Sequence, residues 1–302
     1  MSEYHTPVLL KESIEALEIK PDGIYADATF GGGGHSREIL KRLGSKGRLI
    51  AFDKDSDALD NAPEDKRLIL VHNNFRFIHN YVRYHGFGKI DGILADLGVS
   101  SHQFDTESRG FSFRFDAPLD MRMNTLAGRT AADIVNNSGQ SELERIFRLY
   151  GELEESRKAA ALICKAREDA PVSTTGDLCR ALERILPKMQ EHKYLAKVYQ
   201  ALRIEVNGEM SDLEHFMEGC IKSLKPGGII AVITYHSLED RIVKNFFKSG
   251  NISGEIARDI KGCGHSPYEL VNRKPILPSE EEISGNTRAR SAKLRLAKRL
   301  ED

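Results

Sequence analysis

Tyr25-Ala26-Asp27-Ala28-Thr29-Phe30-Gly31-Gly32-Gly33-Gly34-His35-Ser36 decides the fold of this 302-residue chain. The apolar run from Gly23 to Ala28 predicts a buried strand, and four glycines follow it at once. From Ser36 to Leu43 the apolar residues Ile39, Leu40 and Leu43 fall at helical spacing. A strand, a glycine turn and a helix let backbone N–H groups approach a nucleotide-like ligand closely, because no side chain stands in the way. Asp53 ends a second strand-like run, Arg48 to Phe52. An acid there accepts hydrogen bonds from both ribose hydroxyls. Alone, the glycines are a weak signal. Gly31-x-Gly33-x-x-Ser36 lacks the third glycine of the dinucleotide fingerprint, and an ordinary tight turn would look the same. The strand before and the acid after favour a nucleotide site.

Outward from this stretch, strands alternate with helices. Leu68 to Val71 and Ile90 to Asp96 predict a third and a fourth strand, with a helix near Ile78 to His85 between them. Each strand is nearly all apolar, which indicates a parallel sheet covered on both faces. The pattern changes after Asp96. Residues 97 to about 124 are rich in Gly, Ser, Phe, Asp and Arg, and Thr130 to about Ile204 reads as successive helices. Ser141-x-x-Glu144, Thr174-x-x-Asp177 and Ser211-x-x-Glu214 each have the spacing of a helix-starting capping box. Lys225-Pro226-Gly227-Gly228 then predicts a turn, Ile229 to Thr234 a fifth strand and Leu238 to Phe247 a helix. Residues 249 to 289 read as loop, and Ser291 to Leu296 as the last strand. In that strand Lys293 and Arg295 alternate with Leu294 and Leu296, which suggests an edge position or pairing with the helical insert. The expected organisation is one α/β domain, 1–104 and 208–302, interrupted by a helical subdomain, 105–207.

Bulk properties narrow the class. Lys and Arg total 44 against 45 Asp and Glu, a net charge of -1 that excludes a globally basic nucleic-acid binder but permits a local basic patch. No apolar run reaches the roughly 20 residues of a membrane span, and the N-terminus lacks a signal-peptide pattern. Four scattered cysteines without a C-x-x-C suggest reduced thiols and a cytoplasmic protein. Cys263-Gly264-His265 is half a metal site with no second pair, so no metal is expected.

A nicotinamide enzyme would show the full fingerprint and an uninterrupted second half. The helix, Lys225-Pro226-Gly227-Gly228 and apolar strand instead resemble the fifth-strand region of class I S-adenosylmethionine-dependent methyltransferases, a Rossmann-like fold with a mostly parallel seven-stranded sheet. The likeness is closer than class level. His5-Thr6-Pro7-Val8-Leu9-Leu10, Thr29 to Ser36, Asp96-Leu97-Gly98-Val99-Ser100-Ser101, Arg109 to Phe113, Pro118 to Met123, Gln200 to Ile204, Tyr235 to Arg241 and Arg288 to Arg295 together resemble the RsmH/MraW family. The resemblance spans nearly the whole chain. It implies a 16S rRNA (cytosine-N4)-methyltransferase acting on the decoding region of the small ribosomal subunit, with S-adenosyl-L-methionine as cofactor. The oligomeric state stays open, a dimer included.

Position by position, the resemblance implies cofactor contacts at Gly33, Gly34, His35, Asp53, Phe75, Asp96 and Gln103. Chemistry constrains the rest. Cytosine N4 is a poor nucleophile, since its lone pair is conjugated into the ring. An acceptor on the amine would hold it and take up positive charge as it develops. Asp96, at the end of the fourth strand, is the best-placed candidate. Many amino-methyltransferases carry a D/N-P-P-Y/F tetrad at this point, whereas this chain has Asp96-Leu97-Gly98-Val99. A stacking partner for a flipped base must then come from Tyr235, His236, Phe111 or Phe113. Arg109, Arg114, Arg122, Arg241, Arg288, Arg290 and Lys293, with Phe111, Phe113 and Phe115 among them, are candidate RNA contacts. The competing readings are a methyltransferase of DNA or of a small molecule, and an RNA-binding assembly factor that binds the cofactor without turnover.

Overall fold

The computed structural model describes residues 7–256 and 265–301. The chain divides into two compact units, one formed by 1–98 with 210–302 and the other by Val99–Glu209. The sequence pattern had put that boundary a few residues further in.

The first unit is built on seven strands, β1 (Ile24–Asp27), β2 (Arg48–Asp53), β3 (Leu68–His72), β4 (Ile90–Asp96), β5 (Leu224–Thr234), β6 (Tyr268–Leu270) and β7 (Lys293–Arg299). Their order is β3-β2-β1-β4-β5-β7-β6. β1 to β5 run parallel, while β7 lies antiparallel to both β5 and β6. This is the α/β, class I methyltransferase architecture. The order reverses between β1 and β4, and in open sheets of this kind ligands bind at the carboxyl ends of the strands beside such a reversal.

Alternation along each strand feeds two cores. Ala26, Ile50, Phe52, Ile93, Ile230 and Val232 pack with Ile78, Val82, Phe216, Met217 and Phe246 on one side. Tyr25, Leu49, Leu94 and Ile233 pack with Leu9, Ile14, Ile39 and Leu40 on the other. The strands are apolar on both faces because helices cover both. Burial at roughly 25 cal/mol per Å² of apolar surface makes these layers the main source of stability.

The second unit is helical, with α-helices Ala131–Asn137, Gln140–Gly151, Ser156–Asp169, Thr175–Leu182 and Glu191–Asn207 around a core that includes Phe111, Leu119, Met121, Phe147, Ile163 and Leu202. Thr174 and Asp177 do form the capping box expected of them. Among the described residues no helix is long and apolar enough to cross a membrane.

Several expectations fail for identifiable reasons. Ser141 does not start a helix; the helix begins at Gln140 behind Gly139. Ser211 likewise lies inside the helix Glu209–Ser223. Lys225 to Gly228 is no separate turn. It is a bulge within β5, which already pairs through Leu224 with Ile90 and shifts register before Gly92. β6, the helix Glu280–Gly285 and the 3₁₀ turn Thr287–Ser291 occupy a stretch read as loop. β7 is neither an edge strand nor paired with the insert. Its Arg295 and Lys293 instead face Asp240 of the helix Ser237–Ser249, at 2.6 and 3.4 Å. His5, Thr6, Cys263 and Gly264 lie outside the described residues.

Candidate functional site

The glycine turn after β1 is shaped by its own backbone. Gly31 and Gly33 adopt left-handed φ values of 50° and 74°, a region costly for residues with a Cβ. A Cβ added at Gly31 would meet no atom within 4 Å, so the turn leaves open space above its backbone. A Cβ at Gly34 would stand 2.0 Å from Pro7 Cγ, so here glycine lets the N-terminal segment pack against the turn. Gly33 is the N-cap of the helix Gly34–Arg42 and supplies no side-chain cap, which leaves first-turn N–H groups available to a ligand.

Asp53 ends β2 and holds this turn. The Gly31 N–H donates to its Oδ2 at 2.8 Å, and the Asp55 N–H to its Oδ1 at 2.9 Å. Burial raises its carboxyl above the usual range, opposed by those two hydrogen bonds. Each carboxylate oxygen keeps a lone pair beyond these bonds, so Asp53 can still receive hydroxyl donors. Beneath the turn, Asp27 is fully buried and accepts from Ser36 Oγ at 2.6 Å and from the Thr29 N–H at 3.1 Å. Desolvation pushes Asp27 up to about 7.

Asp96, the last residue of β4, is tied to the same turn. Its backbone N–H donates to Thr29 Oγ1 at 2.7 Å, which ties the end of β4 to the turn after β1. Its Oδ1 accepts from the Tyr235 hydroxyl at 2.6 Å. Its Oδ2 lies 3.9 Å from His35 Nδ1. Burial pushes the Asp96 carboxyl up to about 7; the Tyr235 hydrogen bond opposes this, and the negative charges of Asp27, Glu239 and Glu282 add to it. His35 is buried, its Nε2 lies 3.2 Å from the Val8 carbonyl, and desolvation pushes it down to about 4. The ring is therefore neutral at pH 7. With Nε2–H donating to Val8, its bare Nδ1 faces Asp96.

Tyr235 and His236 follow β5. The buried Glu239 carboxylate receives the N–H of Tyr235 at 2.8 Å and of His236 at 3.4 Å. His236 is the N-cap of the helix Ser237–Ser249, so its first visible role is capping. Phe75 opens a 3₁₀ turn after β3 and meets Phe216 edge-on, with ring centroids 5.1 Å apart. Gln103 belongs to the helical unit. It is the N3 residue of a capping box with Ser100.

The fold thus brings Gly33, Gly34, His35, Asp53, Asp96, Tyr235 and His236 to the carboxyl ends of β1, β2, β4 and β5, with Phe75 after β3. Sequence reasoning missed Thr29 as the tie to Asp96. It also missed Ser36 as the partner of buried Asp27, and Glu239 as the clamp on Tyr235. The His236-x-x-Glu239 spacing of a capping box was a usable signal for Glu239. Two groups of expected RNA contacts are structural instead. Arg109 is buried and donates to the carbonyls of Arg122 and Met123, both at 3.0 Å. Arg122 is held by Asp120 at 2.7 Å. Phe111 is a core residue, and Phe113 packs edge-on against Tyr199, so neither is presented for base stacking.

The open space above Gly31, the uncapped helix start and the remaining acceptor capacity of Asp53 fit an adenosine-bearing methyl donor with a carboxylate tail. Comparison with known proteins agrees in family. The model of the MraW methylase family matches residues 2–300. The ribosomal RNA small subunit methyltransferase H of Parabacteroides distasonis is 57% identical over 98% of both chains. Its counterparts in Bacteroides fragilis and Flavobacterium johnsoniae are 55% and 53% identical, over 98% and 99% of this chain and 97% and 98% of theirs. Among solved structures, an rRNA methylase from Streptococcus thermophilus aligns over 97% of this chain and 94% of its own, at 11% identity and a TM-score of 0.39. With a family model over nearly its whole length and relatives above half identity, the chain belongs to the MraW methylase family.

Proposed function

We propose that this protein transfers a methyl group from S-adenosyl-L-methionine to N4 of a cytidine in the decoding region of 16S rRNA. The observation that carries the chemistry is the pairing of Asp96 with Tyr235 at the ends of β4 and β5, beside the open glycine turn. S-adenosyl-L-methionine supplies an electrophilic methyl on a sulfonium, so the protein need not activate the donor. Gly33, Gly34 and the start of the helix Gly34–Arg42 would hold its amino-acid end, and Asp53 its ribose. Phe75 would lie beside its adenine. Gln103 is assigned a further contact on the family pattern alone.

The chain's own residues then deal with the acceptor. The Tyr235 hydroxyl occupies Asp96 Oδ1 and so leaves Oδ2 for the exocyclic amine. An ionised Oδ2 accepts one amine N–H, which turns the nitrogen lone pair out of conjugation and toward the donor. As the N–C bond forms and the methyl–sulfur bond breaks, its electron pair staying on the departing thioether, the amine proton would pass to Oδ2. A carboxyl at about 7 can both take that proton and release it to solvent near neutrality. Neutral His35 presents Nδ1 to Oδ2, which keeps cationic charge away from the carboxylate before the amine arrives. Holding acceptor and donor in line accounts for much of the acceleration, up to roughly 7–11 kcal/mol. Tyr235 and His236 are the remaining candidates to flank the flipped base, which costs a few kcal/mol to extrude.

The substrate assignment rests on the family and on what its relatives are named for. The target context is the small subunit, the compartment the cytoplasm, and the unit Val99–Glu209, with exposed Arg114 and Arg129, takes part in RNA recognition. Calorimetric titration with S-adenosyl-L-methionine tests the first requirement. Saturable heat that vanishes with Asp53→Ala is expected; no heat with the wild-type protein would overturn the reading.

A further inference from the structure

We infer that the outward surface of the helix Ile78–Tyr84 and its flanks, within His72 to Lys89, binds a single-stranded segment of the RNA substrate through backbone and base-face contact. This rests on the function proposed above and extends it to a second contact site.

The first observation is composition. The chain carries 45 acidic residues, yet none of the 18 residues from His72 to Lys89 is acidic. The same stretch holds Arg76, Arg83 and Lys89, three histidines, and the aromatic residues Phe75, Phe77, Tyr81, Tyr84 and Phe87. The second is exposure. Helical amphipathicity puts Ile78 and Val82 into the core and leaves the other face outward. Tyr84 is 81% exposed and Phe77 36%, and Arg76 and Arg83 are exposed as well. A tyrosine presented to water to that extent gains nothing from folding.

The third observation is arrangement. The Tyr81 and His85 rings are near parallel, with centroids 6.5 Å apart, and His85 and Phe87 follow at 6.1 Å. Tyr84 stands edge-on to His85 at 5.1 Å. The platform is anchored to the interior, since Tyr81 meets buried Phe52 edge-on at 5.7 Å. Arg76 lies over the Phe77 ring at 4.7 Å, flattening a guanidinium against an aromatic face. Arg83 and Lys222 set a positive field at the buried face of the helix. The His79 ring is held below its usual range by burial and then by Arg83 and Lys222, the latter from the adjacent helix Glu209–Ser223. Buried Asp212 reaches this stretch from the helix Glu209–Ser223, taking Asn74 at 2.5 Å and Arg76 at 3.3 Å.

A stretch without acidic residues of its own, with exposed Arg83 and with rings interleaved on a rigid helix, matches the requirements of single-stranded nucleic acid. Phosphates meet the arginines and base faces meet the rings, without sequence readout. A chain with a net charge of -1 must place its phosphate contacts locally, and the loop residues Arg109 and Arg122 are already engaged by the protein itself. A protein partner would more usually meet a rim of mixed charge.

Steady-state transfer to small subunits lacking the modification tests this with Arg83→Glu and Tyr84→Ala, neither of which is part of the transfer site. Each should raise the KM for subunits about tenfold, leaving kcat and the calorimetric affinity for S-adenosyl-L-methionine unchanged. Arg83→Glu should also reduce the slope of log KM against log salt by at least about one. An unchanged KM and salt slope in both variants, with an active wild-type enzyme, overturns the inference. A photo-crosslinking amino acid at position 84 should capture RNA; capture of ribosomal protein alone would also overturn it. If wild-type protein transfers no methyl group, the functional reading is what fails. The surface is then judged alone, by whether Arg83→Glu weakens binding of a short fluorescent single-stranded RNA.

Discussion

Asp96→Asn is the substitution that separates the proposed chemistry from simple cofactor binding. The wild-type carboxyl is pushed up to about 7 by burial, with Tyr235 holding it down and Asp27, Glu239 and Glu282 acting the other way. Only the ionised form accepts the amine N–H and its proton. For an acid with a raised value, the active form is lost as pH falls through about 7. Roughly a tenth of the enzyme is competent at pH 6 and roughly nine-tenths at pH 8, so kcat/KM should climb about tenfold across that interval. Asn is isosteric, and its amide oxygen still accepts from Tyr235, so the fold is preserved. It cannot take the proton. The rate should fall by about 10²–10⁴ and the residual activity should lose its acidic limb. Transfer of labelled methyl to undermodified subunits between pH 5.5 and 8.5, with cofactor affinity measured in parallel, is the assay. A flat wild-type profile, or equal losses of transfer and cofactor affinity in Asp96→Asn, would refute the role at the amine.

Tyr235→Phe removes the hydrogen bond that lowers Asp96, so the acidic limb should move to higher pH and the rate at pH 7 should fall several-fold; an unmoved limb contradicts the pairing. Gly31→Ala adds a Cβ in open space at a φ of 50°, costing about 1 kcal/mol of backbone strain. Cofactor affinity should drop at least tenfold while thermal unfolding shifts by only a few degrees, and unchanged affinity would mean the open space is not the binding cradle. Asp27 is protonated more readily in the folded chain than in the unfolded one, so stability should fall as pH rises from about 4 to about 7. The loss is at most roughly 4 kcal/mol. Asp27→Asn should flatten that part of the melting-temperature profile, and an unaltered profile would remove Asp27 as its source. Asp212→Ala leaves Asn74, Arg76 and Lys54 without their shared carboxylate, and should cost about 2 kcal/mol by chemical denaturation with the largest loss of hydrogen-exchange protection in residues 73–77.

The parallel half of the sheet was legible because its strands are short apolar runs bounded by Gly, Asn and Asp. Ile90 to Asp96 is the clearest case, and the structure places β4 on those residues. The antiparallel end was not. β6 is three residues long and owes its existence to pairing with β7, a tertiary fact that Tyr268 to Leu270 do not carry themselves. Capping boxes divide the same way. Thr174 and Asp177 work because the chain before them is extended, whereas Ser211 is swallowed by a helix that starts at Glu209. At the candidate site, Gly33, Asp53 and Asp96 stood out because strand ends and glycine turns have a local signature. Thr29, Ser36 and Glu239 did not, since each matters through one hydrogen bond to a residue elsewhere in the fold. The charged loop after β4 misled for the converse reason. Arg109 and Phe111 have the composition of an RNA surface and the burial of a core, and only packing distinguishes the two.

The most direct measurement is nucleoside analysis of small subunits lacking the modification, after incubation with the protein and methyl-labelled S-adenosyl-L-methionine. The account predicts label in 16S rRNA, recovered as an N4-methylated cytidine from the decoding region. Label on a different base, on a ring carbon or on ribosomal protein, or none with cofactor demonstrably bound, would contradict it.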